Sequence, residues 1–347
     1  MELHYSELES RRFGLRVYRV TLDSVDPAAL RDWILDQRAD LVICRIPAAA
    51  LPSLTALEEL GMPVVVADTL VHYWLDLTTV EPGSLRNSDL EFAEAEPGEL
   101  ERLVRAIFPG YSNHYYANPI LPHDSILDGY VEWALGFTGQ DPSRQAWVAR
   151  RRGDPVAFAT CHFSGGEAHG VLYGVVPAES GRGVYRDLIR FTARQGKDRG
   201  CRRMHTSTQV QNFPVQAVWV GEGFRLRGAE ATFHINALLD AAGRGQDKVD
   251  LVWGAGDLPG DGSADEALLI DGVARRFLRE AIPGRRPEVR GTHHCPVRPL
   301  RAGERYRIWF GLPKTAGQAL ATVQVADEAS RIYYQAYYYL GGADQVG

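Results

Sequence analysis

The sequence predicts a mixed α/β (α+β) protein of three consecutive units, and three observations carry that reading. Strand-forming runs alternate with helical patterns up to about residue 78. From 90 to 236 a second α/β unit has an antiparallel middle, and the tail from 249 to 342 reads as one long helix followed by four strands. At 347 residues the chain exceeds a typical domain of roughly 100–200 residues, and its 45% hydrophobic content can fill several cores.

The first unit, residues 1–78, opens with the strand run LRVYRV. In DPAALRDWILDQRA, Asp26 stands where a helix cap accepts backbone N–H groups, and Pro27 suits the first turn. DLVICRIP reads as a buried strand, LPSLTALEELG as a helix stopped by Gly61, and PVVVADTLVHYWLDL as a long strand. Residues 79–90 form a surface connection. In the second unit, AWVARRRGDPVAFATCHF breaks at Gly153-Asp154-Pro155 as a hairpin does, and SGGE turns the chain into AHGVLYGVVP. A helix to about residue 199, the strand RRMHTSTQV, a short helix in FPVQAVWVGEG and the strand FRLRGAEATFHI complete it. Residues 237–248 read as a linker, because small residues replace strand formers there. In the tail, Leu269, Val273, Phe277 and Ala281 repeat at helical spacing before a stop at Pro283-Gly284. The strands VRGTHHCPVRPL, RYRIWFGLP, ALATVQVAD and RIYYQAYYYL follow, and on the last Ile332, Tyr334, Ala336, Tyr338 and Leu340 alternate to one face.

Composition excludes several classes of function. With 38 basic and 44 acidic side chains the formal charge is −6, so no global positive field gathers nucleic acid or an anionic membrane. The N-terminus is charged, and no run approaches the ~18 apolar residues of a membrane span, so a cytoplasmic protein is expected. Cys44, Cys161, Cys201 and Cys295 occur singly, without the close pairs of a metal or redox site; no metal is expected.

The stretch VLYGVVPAESGRGVYRDLI, residues 171–189, carries the chemistry. A strand run passes through Pro177 into Gly181-Arg182-Gly183 and then directly into a helix. Helix starts leave N–H groups without partners and carry partial positive charge, so such a junction receives anions. There is no Gly-Lys-Ser/Thr sequence of a P-loop and no dinucleotide fingerprint. The order meander, V-x-P, Gly-x-Gly, helix, strand, Asn-containing loop, helix, strand resembles the GCN5-related N-acetyltransferase (GNAT) superfamily. FGLRVYRV, VADTLVHYW, HYYANP, DGYVEWA and TQVQN together narrow the resemblance to the dTDP-fucosamine acetyltransferase group.

That resemblance implies acetyl-CoA or another acyl-CoA as donor, with an acyl carrier protein thioester as a variant, and an amino sugar, nucleotide-linked, as acceptor. Gly174, Val175 and Val176 then form the splayed strand end beside the thioester. Ser180, Gly181, Arg182, Gly183, Val184 and Tyr185 form the pyrophosphate loop, and Asn212 contacts pantetheine. His114, Tyr115 and Asn118 in SNHYYANP are candidates for sugar recognition. Where the family places a tyrosine general acid, seven residues after the asparagine, this chain has Trp219, whose indole cannot give up a proton near neutral pH. Tyr173, Tyr116 and His205 are the substitutes considered. Ser180 and Tyr185 also depart from the usual loop, and a scaffold that binds without transferring is the competing reading.

The tail resembles a hot-dog fold through HHCPVRPLRAGERYRI and the helix from about Leu268. The resemblance implies a homodimer through joined sheets. Glu266, Asp271, His293 and His294 are its candidate acid and base groups.

Overall fold

A computed structural model describes residues 3–240 except 112, 119 and 123, and in the tail residues 248–252, 274–281, 286–289, 295–296, 305–312, 320–327 and 332–341. Glu266, Asp271, His293 and His294 lie outside or beside these segments and are not among the described residues. The strands of the first two expected units share a single ten-stranded sheet. In chain order they are β1 (His4–Tyr5), β2 (Val17–Thr21), β3 (Leu41–Pro47), β4 (Val64–Asp76), β5 (Leu90–Glu94), β6 (Arg144–Arg151), β7 (Asp154–Ser164), β8 (Glu167–Val175), β9 (Arg203–Gln209) and β10 (Arg225–Ile235). Across the sheet they run β1-β2-β3-β10-β4-β9-β8-β7-β6-β5. The last of these strands, β10, returns to the first unit and lies antiparallel between β3 and β4.

The helices α1 (Glu7–Phe13), α3 (Pro97–Ile107) and α4 (Asp124–Leu135) cover one face. Leu100, Leu103 and Val104 of α3 and Ile126, Tyr130 and Val131 of α4 pack there on Val17, Leu41, Ile43, Val148 and Phe158. The other face carries α2 (Pro27–Asp36), α5 (Val184–Asp198) and α6 (Phe213–Gly221). The capping expectation for α2 holds: Asp26 accepts from the Ala29 N–H at 3.1 Å. The helix expected at 51–61 is a 3₁₀ helix, Ala48–Leu60, with Pro52 inside it, where an α-helical N–H donor is missing.

The strands β8 and β9 are parallel, joined by α5, and pair only at Glu167–Arg203, Ala168–Met204 and His169–His205. Beyond that point they splay. Residues 237–239, expected to begin a linker, form a buried turn, and Asp240 meets Arg31 at 2.8 Å. In the tail, β11 (Lys248–Val252), β12 (Arg286–Val289), β13 (Cys295–Pro296), β14 (Arg305–Gly311), β15 (Leu320–Asp327) and β16 (Ile332–Gly341) form a second, antiparallel sheet. Residues 274–281 are helical, and Phe277 stacks on Phe310 of β14 at 3.8 Å. Ala336 and Tyr338 share the buried face of β16. Among the described residues, no helix is long and apolar enough to cross a membrane, and no three His, Cys, Asp or Glu side chains cluster as metal ligands.

Candidate active site

Two clefts open on either side of the splay. One, of about 610 Å³, lies over the start of α5 and is lined by Tyr173, Gly174, Val175, Ser180, Gly181, Gly183, Val184, Tyr185, Asn212 and Trp219. The other, of about 1020 Å³, has the inner strands of the first unit as its floor and α1 and α4 as walls. Tyr111, Val171, Leu172, Thr206, Ser207 and Thr208 line both, so the clefts meet where β8 and β9 separate.

The smaller cleft has the form of an anion receptor. Gly181 and Gly183 have φ of 76° and 84°, in the left-handed region that side chains with a Cβ avoid. Gly183 caps α5 without a side chain, so the first N–H groups of that helix face outward along its axis. The expected surface connection holds this helix start in place. Asp187, fully buried, accepts from the backbone N–H groups of Arg86 (2.8 Å) and Asn87 (3.0 Å) and from Asn87 Nδ2 (2.7 Å).

Arg182 requires a correction: its side chain is 62% exposed, leans toward Glu179 at 3.5 Å and does not line the cleft. Arg86 and Arg186 are the arginines that do. The Val176 amide is likewise taken, by the Val156 carbonyl at 2.9 Å, so it has no N–H to offer an oxyanion. Below it, the edge of β8 from Gly170 to Val175 is not paired by β9. The Tyr185 ring does not close the cleft; it packs with Trp219 and Tyr173 in the core under α5.

The proton-donor candidates fall out differently. Trp219 is 1% exposed, and its indole N–H sits beside the Tyr185 phenol without closing a hydrogen bond. Tyr173 turns its hydroxyl into the core, donating to Thr192 Oγ1 at 3.0 Å with Cys161 Sγ at 3.5 Å. Burial, reinforced by Cys161, raises its pKa well above the ordinary tyrosine value. Tyr116 lines neither cleft. The group at the junction is Tyr111, which sequence reasoning missed. Its hydroxyl donates to Gln209 Oε1 at 2.7 Å. Burial lifts its pKa above the ordinary value, against the pull of Thr208 and Asn212, so it remains a neutral phenol with a proton to give. Asn212 lies next to it, its Nδ2 donating to Thr208 Oγ1 at 3.0 Å.

In the larger cleft, His114 and Tyr115 are present as expected, but both are engaged. His114 Nδ1 is 2.9 Å from His234 Nε2, and the Tyr115 hydroxyl donates to Glu9 Oε1 at 2.5 Å. Asn118 is a further correction: it is 0% exposed, outside the cleft, and donates to Asn236 Oδ1 at 2.8 Å. His205 sits at the root of the splay, its ring stacked on His169 and its Nε2 3.2 Å from Glu167.

Residues 105–224 match the acetyltransferase (GNAT) family. Over that segment the chain is similar to GNAT acetyltransferases. The matched segment runs from the end of α3 to the residue before β10 and contains the helix-start loop, the splay and Tyr111. Among solved structures, a functionally unknown conserved protein from Staphylococcus epidermidis is similar at 12% identity and TM-score 0.48, over 67% of this chain and 90% of that one. A GCN5-related N-acetyltransferase from Sphaerobacter thermophilus aligns at 17% and 0.44, over 58% and 64%. One from Kribbella flavida aligns at 13% and 0.42, over 63% and 80%. No curated protein matches the sequence.

Proposed function

We propose that the chain is a cytoplasmic, acyl-CoA-dependent N-acyltransferase whose acceptor is an amino sugar, nucleotide-linked as in the dTDP-fucosamine acetyltransferases that its sequence resembles. The observation that carries the transferase reading is the meeting of the two clefts at the splay. A donor entering over α5 and an amine entering from the larger cleft come together only there. The uncapped start of α5, with Arg86 and Arg186, would hold the donor pyrophosphate, and the unpaired edge of β8 would hold its pantetheine arm.

In the reaction, the ammonium first loses a proton to solvent through the open cleft, and the neutral amine then attacks the thioester carbon as the C–N bond forms. Backbone N–H groups at the β8 edge stabilise the oxyanion, and the C–S bond then breaks. The leaving thiolate takes the Tyr111 proton, the amine loses one to solvent through the open cleft, and the phenol is restored from there. Aromatic walls from Tyr115, Tyr130 and Trp133 suit a sugar ring. The antiparallel tail, with Phe277 stacked on Phe310, is read as the hot-dog-like unit that pairs two chains.

Calorimetry with acetyl-CoA, then thiol release across a panel of amino sugars, tests the reading. Saturable binding and amine-dependent release are expected. Donor binding without release for any amine would establish the non-transferring scaffold instead, and absence of donor binding would overturn both.

A further inference from the structure

The larger cleft contains a row of polar groups that the transfer chemistry leaves unused. Thr232 on β10 pairs in register with Arg45 of β3 on one side and with Asp68 of β4 on the other. Residues paired in register project from the same face of a sheet, so the three side chains form a line. Arg45 and Asp68 both line the cleft. Their backbones are about 10 Å apart, two strand spacings.

The neighbouring ions are satisfied. Arg19 gives Nε and Nη2 to Glu9 at 2.6 Å each, and Nη2 to Tyr115 at 3.0 Å. Arg12 meets Glu132 at 3.3 Å, and Glu230 meets His72 at 3.0 Å. By contrast, both carboxylate oxygens of Asp68, Nε of Arg45 and the Thr232 hydroxyl are buried and close no hydrogen bond of ordinary geometry among the described residues, although Thr232 and Gln209 lie near enough to Asp68 to lower its pKa. Burial raises the Asp68 pKa, against Thr232, Arg45 and Gln209; burial and the nearby Arg19 lower that of Arg45, against Glu230 and Asp68.

A buried charge without its complement is destabilising, and the rest of the buried β3 run (Leu41, Val42, Ile43, Cys44 and Ile46) shows what stability alone would put there. The row also has a direction. Its acidic end lies beside β9, where Gln209 stands between Asp68 and the Tyr111 hydroxyl at the junction. Its basic end lies two strands further from the reacting carbon.

We propose that Asp68 and Arg45 are the two poles of the acceptor site: Asp68 receives the acceptor's ammonium group, and Arg45 an anionic group, phosphate or carboxylate, on the same molecule. The acceptor is therefore an amine that carries its own negative charge. The assignment rests on the acyl-transfer reading for which end reacts, but not for the two poles themselves.

The test is calorimetry on the full chain with two matched sets of compounds. One is glucosamine, glucose 6-phosphate and glucosamine 6-phosphate; the other is propylamine, propionate and β-alanine. In at least one set the doubly charged compound should bind about ten-fold tighter than either singly charged one, and which set does so tells phosphate from carboxylate. Arg45→Gln should reduce that compound to the level of the amine alone, and Asp68→Asn to the level of the anion alone. Arg45→Lys should recover part of the preference, which separates charge recognition from a folding defect. Equal binding within both sets, or a preference that survives both substitutions, overturns the assignment. Acetyl-CoA is titrated into the same samples. If it binds while no set shows the preference, the poles are refuted and the donor site stands; the reverse pattern refutes the transferase reading alone.

Discussion

Removing one hydroxyl, in Tyr111→Phe, separates the proposed acid from every other tyrosine near the site. The ring stays: Phe can keep the edge contacts with Phe108 at 5.2 Å and Tyr130 at 6.1 Å. What is lost is the 2.7 Å hydrogen bond to Gln209, a neutral pair worth about 1 kcal/mol, so the fold should survive with a Tm lower by a few degrees. Catalysis should suffer far more. Protonation of a leaving group by a placed acid contributes about 10²–10⁴-fold, or roughly 3–5 kcal/mol of barrier. The assay is thiol release at saturating acyl-CoA with the best amine of the panel, alongside calorimetric donor affinity. The expectation is kcat down at least about 100-fold with acyl-CoA affinity held within about two-fold, since the phenol acts on the leaving group and not on the diphosphate. A folded variant whose kcat stays within about three-fold of the parent would refute the assignment and return the search to groups reached through solvent.

Three further outcomes follow from the same geometry. Asp187→Ala leaves two backbone N–H groups and the Asn87 amide without their acceptor; it should cost about 2–4 kcal/mol in urea unfolding and weaken acetyl-CoA binding, because the start of α5 is no longer held. Trp219→Tyr places a phenol where the resemblance puts the acid but opens a gap beside Tyr73; steady-state kinetics should show no rate gain above about three-fold if Tyr111 supplies the proton as proposed. Burial, with Arg19 adding to it, pushes His234 down to about 3, and burial also holds His114 well below the usual histidine value. The unfolded chain takes up these protons near pH 6.5 while the folded one refuses them. Stability is therefore complete above that pH and falls as pH drops through the window toward 3, by about 1.4 kcal/mol per unit for each histidine. Urea midpoints that are flat from pH 7 to 5 in the parent, or that fall equally in His234→Asn, would contradict this.

How much of this was legible in the sequence depends on how local each feature is. The Asp26 cap, the Gly153 hairpin and the Gly-x-Gly helix start are set by neighbours within a few residues, and each lies where the sequence placed it. Two helices escaped notice, α3 and α4, although Leu100, Leu103, Val104 and Ile107 recur at helical spacing in the first. Tyr111 follows that helix, so missing the helix meant missing the proposed acid. Tyr173 looked plausible because it sits on the right strand, but alternation decides which face a residue takes. Alternation is broken by the register shift at Val171, so both Val171 and Leu172 reach both clefts, while the Tyr173 hydroxyl is turned under α5 to Thr192. The charges of Asp68 and Arg45 inside VVVADTLV and LVICRIP were visible as breaks in apolar runs, but their alignment is not a local property. It comes from β10, some 160 residues further on, pairing with both strands at once.

That pairing also explains why the first 78 residues and the segment that matches the acetyltransferase family share one sheet. The proposed donor cleft is built, Arg86 apart, within the matched segment 105–224, from β8, α5 and α6. The acceptor cleft takes its floor from β2, β3 and β4 and one wall from α1, all contributed before residue 77. Between them β10 is the hinge of the design: its Glu230, Thr232 and His234 face the acceptor side while Ala231, Phe233 and Ile235 lock into the core beneath. On the proposed reading, donor binding is thus carried mostly by one contiguous segment, whereas acceptor recognition is assembled across the chain. Substitutions in the first unit should change which amine is used while leaving acyl-CoA affinity nearly untouched. A change at Arg45 or Asp68 that altered donor affinity as much as amine preference would show that the two clefts are not independent after all.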